Sequence, residues 1–141
     1  MLFSLILLMP LLNFIFIALL GRFLGQKGVM RLTLVNILIS FFTALTLNYF
    51  LYTRKLTFYI NYGTWFAVED FVVNFSFALD KLSLGMLGIV LLVSYVVHLY
   101  SCIYMKSDPH FPRFMSYLSL FTFFMIVLVA ADNFVLLFVG W

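Results

Sequence analysis

Four runs of apolar residues, each about as long as a helix needs to cross a hydrocarbon core, constrain this chain more than any other feature it has. They fall at about 2–20, 32–52, 82–105 and 114–131. A crossing helix takes ~20 residues at ~1.5 Å each. With 66% of its 141 residues hydrophobic and 9% charged, the chain lacks the polar surface to clothe four such helices in water, so lipid is their solvent. Pro10 removes a backbone donor from the first run and predicts a kink there. Asn13, Asn36 and Asn48 interrupt the runs and are expected to face other helices rather than acyl chains, as packing contacts.

The start of the chain has no basic stretch before its apolar run, and that run is too long for a signal peptide and has no small-residue cleavage site. It reads as a retained membrane helix. An Arg- and Ser-rich presequence is also missing, as in a protein made inside a mitochondrion or a bacterium. Eight basic and five acidic side chains, net +3 and scattered along the whole length, do not make a nucleic-acid surface. The one cysteine, Cys102, has no partner for an internal disulfide, and two histidines set apart at His98 and His110 do not form a metal-ligand cluster. No nucleophile–base pair is evident. The glycine-rich stretch GRFLGQKG lacks both the G-x-G-x-x-G order and a preceding strand, so no dinucleotide or other cofactor site is expected in this chain.

The segments between the runs carry the charges. Arg22, Lys27 and Arg31, with three glycines, make a short basic turn between the first two helices. Lys106 and Arg113 flank Pro109 and Pro112 between the third and fourth, where the prolines are expected to stop helical continuation. These two turns share one side and hold five of the eight Lys/Arg residues, so the positive-inside rule faces them to the matrix or cytoplasm and leaves the N-terminus outside. Arg54, Lys55 and Lys81 border the opposite loop, 53–80, balanced by Glu69, Asp70 and Asp80. In that loop Phe71, Val73, Phe75 and Phe77 alternate with Val72, Asn74, Ser76 and Ala78, the period of a strand. A surface hairpin turned near 68–70 fits this spacing, with a re-entrant or interfacial helix as the alternative.

After Ala130 and Ala131, the pair Asp132 and Asn133 supplies helix-capping residues ahead of FVLLFVGW, which begins a further apolar helix. Nine residues after Asp132 make roughly 13 Å of helix, against the ~30 Å of a hydrocarbon core. The expectation is a partial helix at 133–141 that a partner chain covers or continues, within a single membrane domain over 1–141.

Among side chains that could carry chemistry, His98 is the one ionisable group in the body of a helix, where proton relay is the functional reading. It stands about six residues, roughly 9 Å, from the helix end, which favours a hydrogen bond to a neighbouring helix or to interfacial water. Asp80 and Asp132 each precede a helix, where a negative charge acts as a cap. Asp108 and His110 sit among turn prolines. Ser116, Ser119 and Thr122, at i, i+3 and i+6, share one face and are expected to pack or hydrogen-bond against the next helix.

From Asp80 onward the blocks LDKLSLGML, VVHLYSCIYM, DPHFPRFMSYLSLFTFFM and VAADNFVLLFVGW resemble, in order and spacing, the N-terminal half of chain 5 of respiratory complex I, the distal antiporter-like subunit of NADH:ubiquinone oxidoreductase. The likeness covers about 77–141 in detail and the earlier residues in pattern. It implies an all-α integral membrane fold of four transmembrane helices plus the start of a fifth, with a small outer-side β-hairpin. It also implies a place in the mitochondrial inner membrane, beside other membrane-arm subunits, in an assembly that couples quinone reduction to proton transport. NADH, FMN, iron–sulfur clusters and ubiquinone would then be bound by other subunits. The family continues past its GW with EGVG, whose glutamate handles protons; this chain stops at Trp141, which a separate chain carrying the remainder of the subunit would explain, as would a truncated or partial product, and His98, Asp80 and Asp132 are what is left here as proton-path or packing candidates. A subunit fragment of a multisubunit cation/proton antiporter is the alternative.

Overall fold

The computed structural model describes residues 2–54, 57–69 and 71–141. Helix α1 runs over Leu2–Arg54, followed by strands β1 (Phe58–Val68) and β2 (Phe71–Leu79), then α2 (Lys81–Tyr104), α3 (Phe111–Ala130) and the short α4 (Phe134–Gly140). Three of these helices are long and apolar enough to cross a membrane. The chain is a multi-pass membrane protein with a two-stranded sheet between its first and second such helices.

The 53 residues of α1 are not one rod. At Gly25 the backbone leaves helical angles, with φ 67° and ψ 171°, a region open essentially to glycine alone. The two arms fold back on each other there. Asn13 and Asn36, almost equally far on either side of Gly25, are hydrogen-bonded at 3.2 Å, and Phe3, Ile6 and Leu7 share a core cluster with Ala44, Leu47 and Leu51. The expected basic turn is therefore helical up to and beyond a single residue, because Gly25 alone can reverse the direction. Each arm, at ~35–44 Å, exceeds the ~30 Å core, so Arg22, Lys27 and Arg31 reach headgroup depth while still helical. Pro10 lies buried inside the first arm, and the non-helical break falls at Gly25 instead of near this proline.

A second difference concerns Pro112. It occupies the first turn of α3 and opens the helix rather than stopping one, since the first-turn N–H has no intrahelical partner to lose. The link from α2 is a tight turn in which Asp108 N–H donates to Met105 O and Phe111 N–H to Asp108 O, at 3.1 and 3.2 Å.

Strands β1 and β2 pair antiparallel, from Phe58 opposite Leu79 to Val68 opposite Phe71, with irregularities around Thr64. Gly63 there has φ 130° and donates its N–H to Asn61 Oδ1 at 2.8 Å. The hairpin read from the alternation is thus present; of its turn, Glu69 is described, while Asp70, like Lys55, lies outside the described residues. Val73, Phe77 and Leu79 are buried. Phe77 packs between Phe3, Phe75 and Tyr62, with ring centroids 5.1, 5.3 and 6.1 Å away.

Two apolar clusters mark the two ends of the bundle. One gathers Phe3, Leu51, Phe77, Leu84, Ala130 and Leu136 beneath the hairpin. The other gathers Ile17, Val29, Cys102, Phe111 and Met115 near the Gly25 reversal.

Candidate functional site

Between those two clusters lies a layer of buried polar side chains. A polar group in an apolar interior costs several kcal/mol unless it is paired, so the pairing shows what holds the layer in place. Asn13, Ser119 and His98 are all fully buried. Asn36 donates its Nδ2 to Asn13 Oδ1 at 3.2 Å, and Asn13 donates its own Nδ2 to Ser119 Oγ at 2.7 Å. Ser119 passes its single hydroxyl proton back to the Met115 carbonyl at 2.9 Å. The two arms of α1 are thereby tied to α3.

His98 joins α2 to the same layer. Its Nδ1 stands 2.7 Å from the Ser94 carbonyl, and a carbonyl only accepts, so this nitrogen carries hydrogen. In a neutral ring Nε2 is then an acceptor. It lies 3.4 Å from Ser119 Oγ, and the hydroxyl proton that would reach it is the one pointing at Met115 O. Ser119 therefore has two competing acceptors for one proton. On the other side, Ser94 Oγ sits 2.6 Å from Thr122 Oγ1, which itself donates to Leu118 O at 3.0 Å. Ser94 is then the donor between the two hydroxyls.

The layer thus runs Asn36, Asn13, Ser119, His98, Ser94, Thr122, and it touches both arms of α1, α2 and α3. Chemically it is a row of hydrogen-bonding groups with one titratable ring near its middle. It can lock helix register, with the ring hydrogen held on Nδ1 by the Ser94 carbonyl. Of the sequence candidates, His98, Ser119 and Thr122 are brought together here; Ser116 is buried and donates to Arg113 O at 2.7 Å, within its own helix. The α3 hydroxyls face α1 and α2, not the helix that follows. Sequence reasoning missed Ser94 altogether and took Asn13 and Asn36 as separate packing contacts. Ser94 lies four residues before His98, on the same helix face, which is the signal that was available.

Asp80 and Asp132 are elsewhere, at the hairpin end. Asp80 occupies the N-cap position of α2 in extended backbone, yet its side chain makes no capping hydrogen bond. Only its carbonyl takes part, accepting from Leu84 N–H at 2.9 Å. The cap of α4 is not Asp132 but Asn133, whose Oδ1 accepts from Leu136 N–H at 2.8 Å. Asp132 instead accepts from Ser76 Oγ at 2.8 Å and donates its N–H to Ser76 O at 3.2 Å, while Asn133 Nδ2 donates to Asn74 O at 2.7 Å. Of the expected caps, Asp80 keeps its position without a side-chain bond and Asn133 caps α4; Asp132 is the one corrected, and the DN pair clamps β2 to the α3–α4 corner. Among the described residues no three His, Cys, Asp or Glu side chains are grouped to hold a metal ion.

Comparison with known proteins matches residues 65–115 to the family model described as NADH-Ubiquinone oxidoreductase (complex I), chain 5 N-terminus. The chain is 44% identical over 135 residues to a protein of Acanthamoeba castellanii named NADH-ubiquinone oxidoreductase chain 5, covering 96% of this chain and 20% of that one. A protein of the same name from Triticum aestivum is 41% identical over 139 residues, covering 99% and 21%, and one from Podospora anserina is 44% identical over 138 residues, covering 96% and 21%. The chain spans about a fifth of the length of these relatives.

Proposed function

By sequence this chain belongs to the family of NADH-ubiquinone oxidoreductase chain 5, whose N-terminal part it matches, and from that premise we propose that it forms the N-terminal portion of the antiporter-like, proton-translocating membrane subunit of complex I. The identity of 40–44% across nearly the whole chain, in relatives that all carry the same name, carries this function. In it the chain contributes to the coupling of NADH-to-ubiquinone electron transfer to proton transport, from the mitochondrial inner membrane. Electron-transfer cofactors are held by other subunits.

In this role the arms of α1 are two crossings, α2 and α3 the third and fourth, and α4 the beginning of a fifth, with the hairpin on the outer side. The apolar outer faces, rich in exposed Phe and Leu, keep lipid away from polar groups on the remainder of the subunit. In that assembly the chain stands beside other membrane-arm subunits. His98 serves to pack α2 against α3 through Ser119; Asp80 and Asp132 fasten the hairpin end.

Affinity purification in mild detergent followed by mass spectrometry tests the assembly. Recovery with flavin- and iron–sulfur-bearing NADH dehydrogenase subunits is the expected result. Recovery alone, or with transporter subunits and no electron-transfer partners, would refute it. For His98, replacement by Gln is expected to leave protons moved per NADH oxidised unchanged; a lowered ratio would place the ring in the proton path instead.

A further inference from the structure

The end of the bundle away from the hairpin holds a cleft of about 830 Å³. It opens between the tip of the α1 reversal and the start of α3. Its polar wall is Arg22 and Gln26 from α1, with His110 and Arg113 from the α2–α3 turn and the first turn of α3. Both arginines are exposed. Among the described residues no carboxylate lines it. The nearest in sequence, Asp108, is engaged by the backbone N–H of His110 at 2.8 Å, and its carbonyl accepts from Gln26 Nε2 at 3.2 Å, which fixes the two walls relative to each other.

The other wall is apolar. Phe14, Ala18 and Leu19 line it from the part of the first arm that lies within the membrane-crossing run, and Leu19 is 72% exposed. A cavity that is cationic at headgroup depth and oily one to two turns deeper has the shape of a phospholipid, head and tail together. We propose that this cleft binds one anionic glycerophospholipid, its phosphate between Arg22 and Arg113 and an acyl chain along Phe14 and Leu19. Guanidinium groups suit a phosphate because their paired N–H donors match two of its oxygens. The backbone supports the same sign of charge, since the α3 N-terminus contributes the positive end of its dipole. A basic pocket between membrane helices is a site of anionic lipid on general grounds. Charge decides against a neutral occupant: Arg22 and Arg113 line the cleft, and Lys27, Arg31 and Lys106 belong to the same two turns of the chain, where Asp108 is the acidic residue.

The inference rests on the chain spanning a membrane and not on its place in complex I. The test uses the full chain in its native assembly, moved by mild detergent into phosphatidylcholine nanodiscs. These contain a small fraction of a photo-crosslinkable probe, either phosphatidylglycerol or phosphatidylcholine. The phosphatidylglycerol probe is expected to label peptides within 14–26 and 109–117 several-fold more than the phosphatidylcholine probe, with unlabelled phosphatidylglycerol competing and inorganic phosphate not competing. The pair Arg22→Gln and Arg113→Gln is expected to lower the yield about fivefold per charge removed, and Lys at both positions to restore most of it. Equal labelling by the two probes would overturn the proposal, and so would competition by inorganic phosphate alone. A protein crosslinker joining these peptides to another chain, while both lipid probes label other parts of this chain and leave these peptides unlabelled, would overturn the proposal and assign the cleft to a helix instead. If the double variant fails to assemble, the competition series on the unaltered protein decides by itself. Failure of either probe to label any part of the chain would show that the membrane-spanning premise, rather than the site, is wrong.

Discussion

The two ends of this helical bundle are built differently. Beneath the hairpin, Phe77 is packed among three other aromatic rings, and Ser76, Asp132, Asn133 and the Asn74 carbonyl are joined by direct hydrogen bonds. At the Gly25 end the chain reverses through one glycine over a smaller apolar cluster, and a basic cleft opens beside the start of α3. One end is closed by side chains that meet within this chain; the other presents charge outward. The contrast teaches that cohesion and outward contact have been separated along the membrane normal, with the polar layer around His98 between them.

If the hairpin end is the cohesive one, the largest loss should come from emptying it. Phe77→Ala is expected to destabilise the fold by about 3–5 kcal/mol, the usual cost of deleting a fully buried aromatic side chain, read by thermal or chemical unfolding in mild detergent. A loss below about 1 kcal/mol would mean the hairpin only rests on the helices. Gly25→Ala probes the other end. An added Cβ meets nothing within 4 Å, so the change isolates the backbone. Holding alanine at φ 67°, ψ 171° should cost about 1–3 kcal/mol. No measurable change would indicate that the reversal tolerates another backbone path, which would make the open end softer still.

The parts legible in the sequence are those set by periodicity. Length and apolarity mark α2 and α3 to within three residues, and period-two alternation marks β2. What was not legible depends on single-residue geometry or on distant partners. Gly25, Gly21 and Gly28 look alike in a glycine-rich turn, and only the folded backbone shows which one takes the positive φ. Pro112 reads as a stop or as a start equally well, because its ring is compatible with both. Asn13 and Ser119 are 106 positions apart, so nothing local announces that they meet. The DN pair shows a finer failure: Asp132 and Asn133 are both good caps, and the choice fell to Asn133 because Ser76 engages Asp132 from the strand.

The middle layer sharpens the comparison, since it could belong to either end. Asn13→Leu removes the donor to Ser119 and the acceptor for Asn36 together. With interhelical hydrogen bonds in membranes averaging about 0.6 kcal/mol each, the expected loss is about 1–2 kcal/mol. A double-mutant cycle with Ser119→Ala separates coupling from packing. Coupling near zero would mean that the polar residues merely share a depth in the membrane.

The smallest effects come from the helix starts, and they contrast two residues that sequence alone ranks as equals. Asn133 accepts a capping hydrogen bond from Leu136 N–H, so Asn133→Ala should cost about 1 kcal/mol, the typical price of a lost N-cap. It also removes the donor to Asn74 O, which loosens the same corner. Asp80 stands at the equivalent position of α2 without a side-chain capping bond. With no capping bond, its carboxylate acts on the helix through the field of the terminus, worth about 0.3 kcal/mol at the low end of such charges and weakened further by salt. Asp80→Ala should therefore leave unfolding nearly unchanged, and the small remaining difference should fade as ionic strength is raised. Were Asp80→Ala to match Asn133→Ala in size and persist in high salt, Asp80 would be making a direct contact, and the closed end would reach as far as the start of α2.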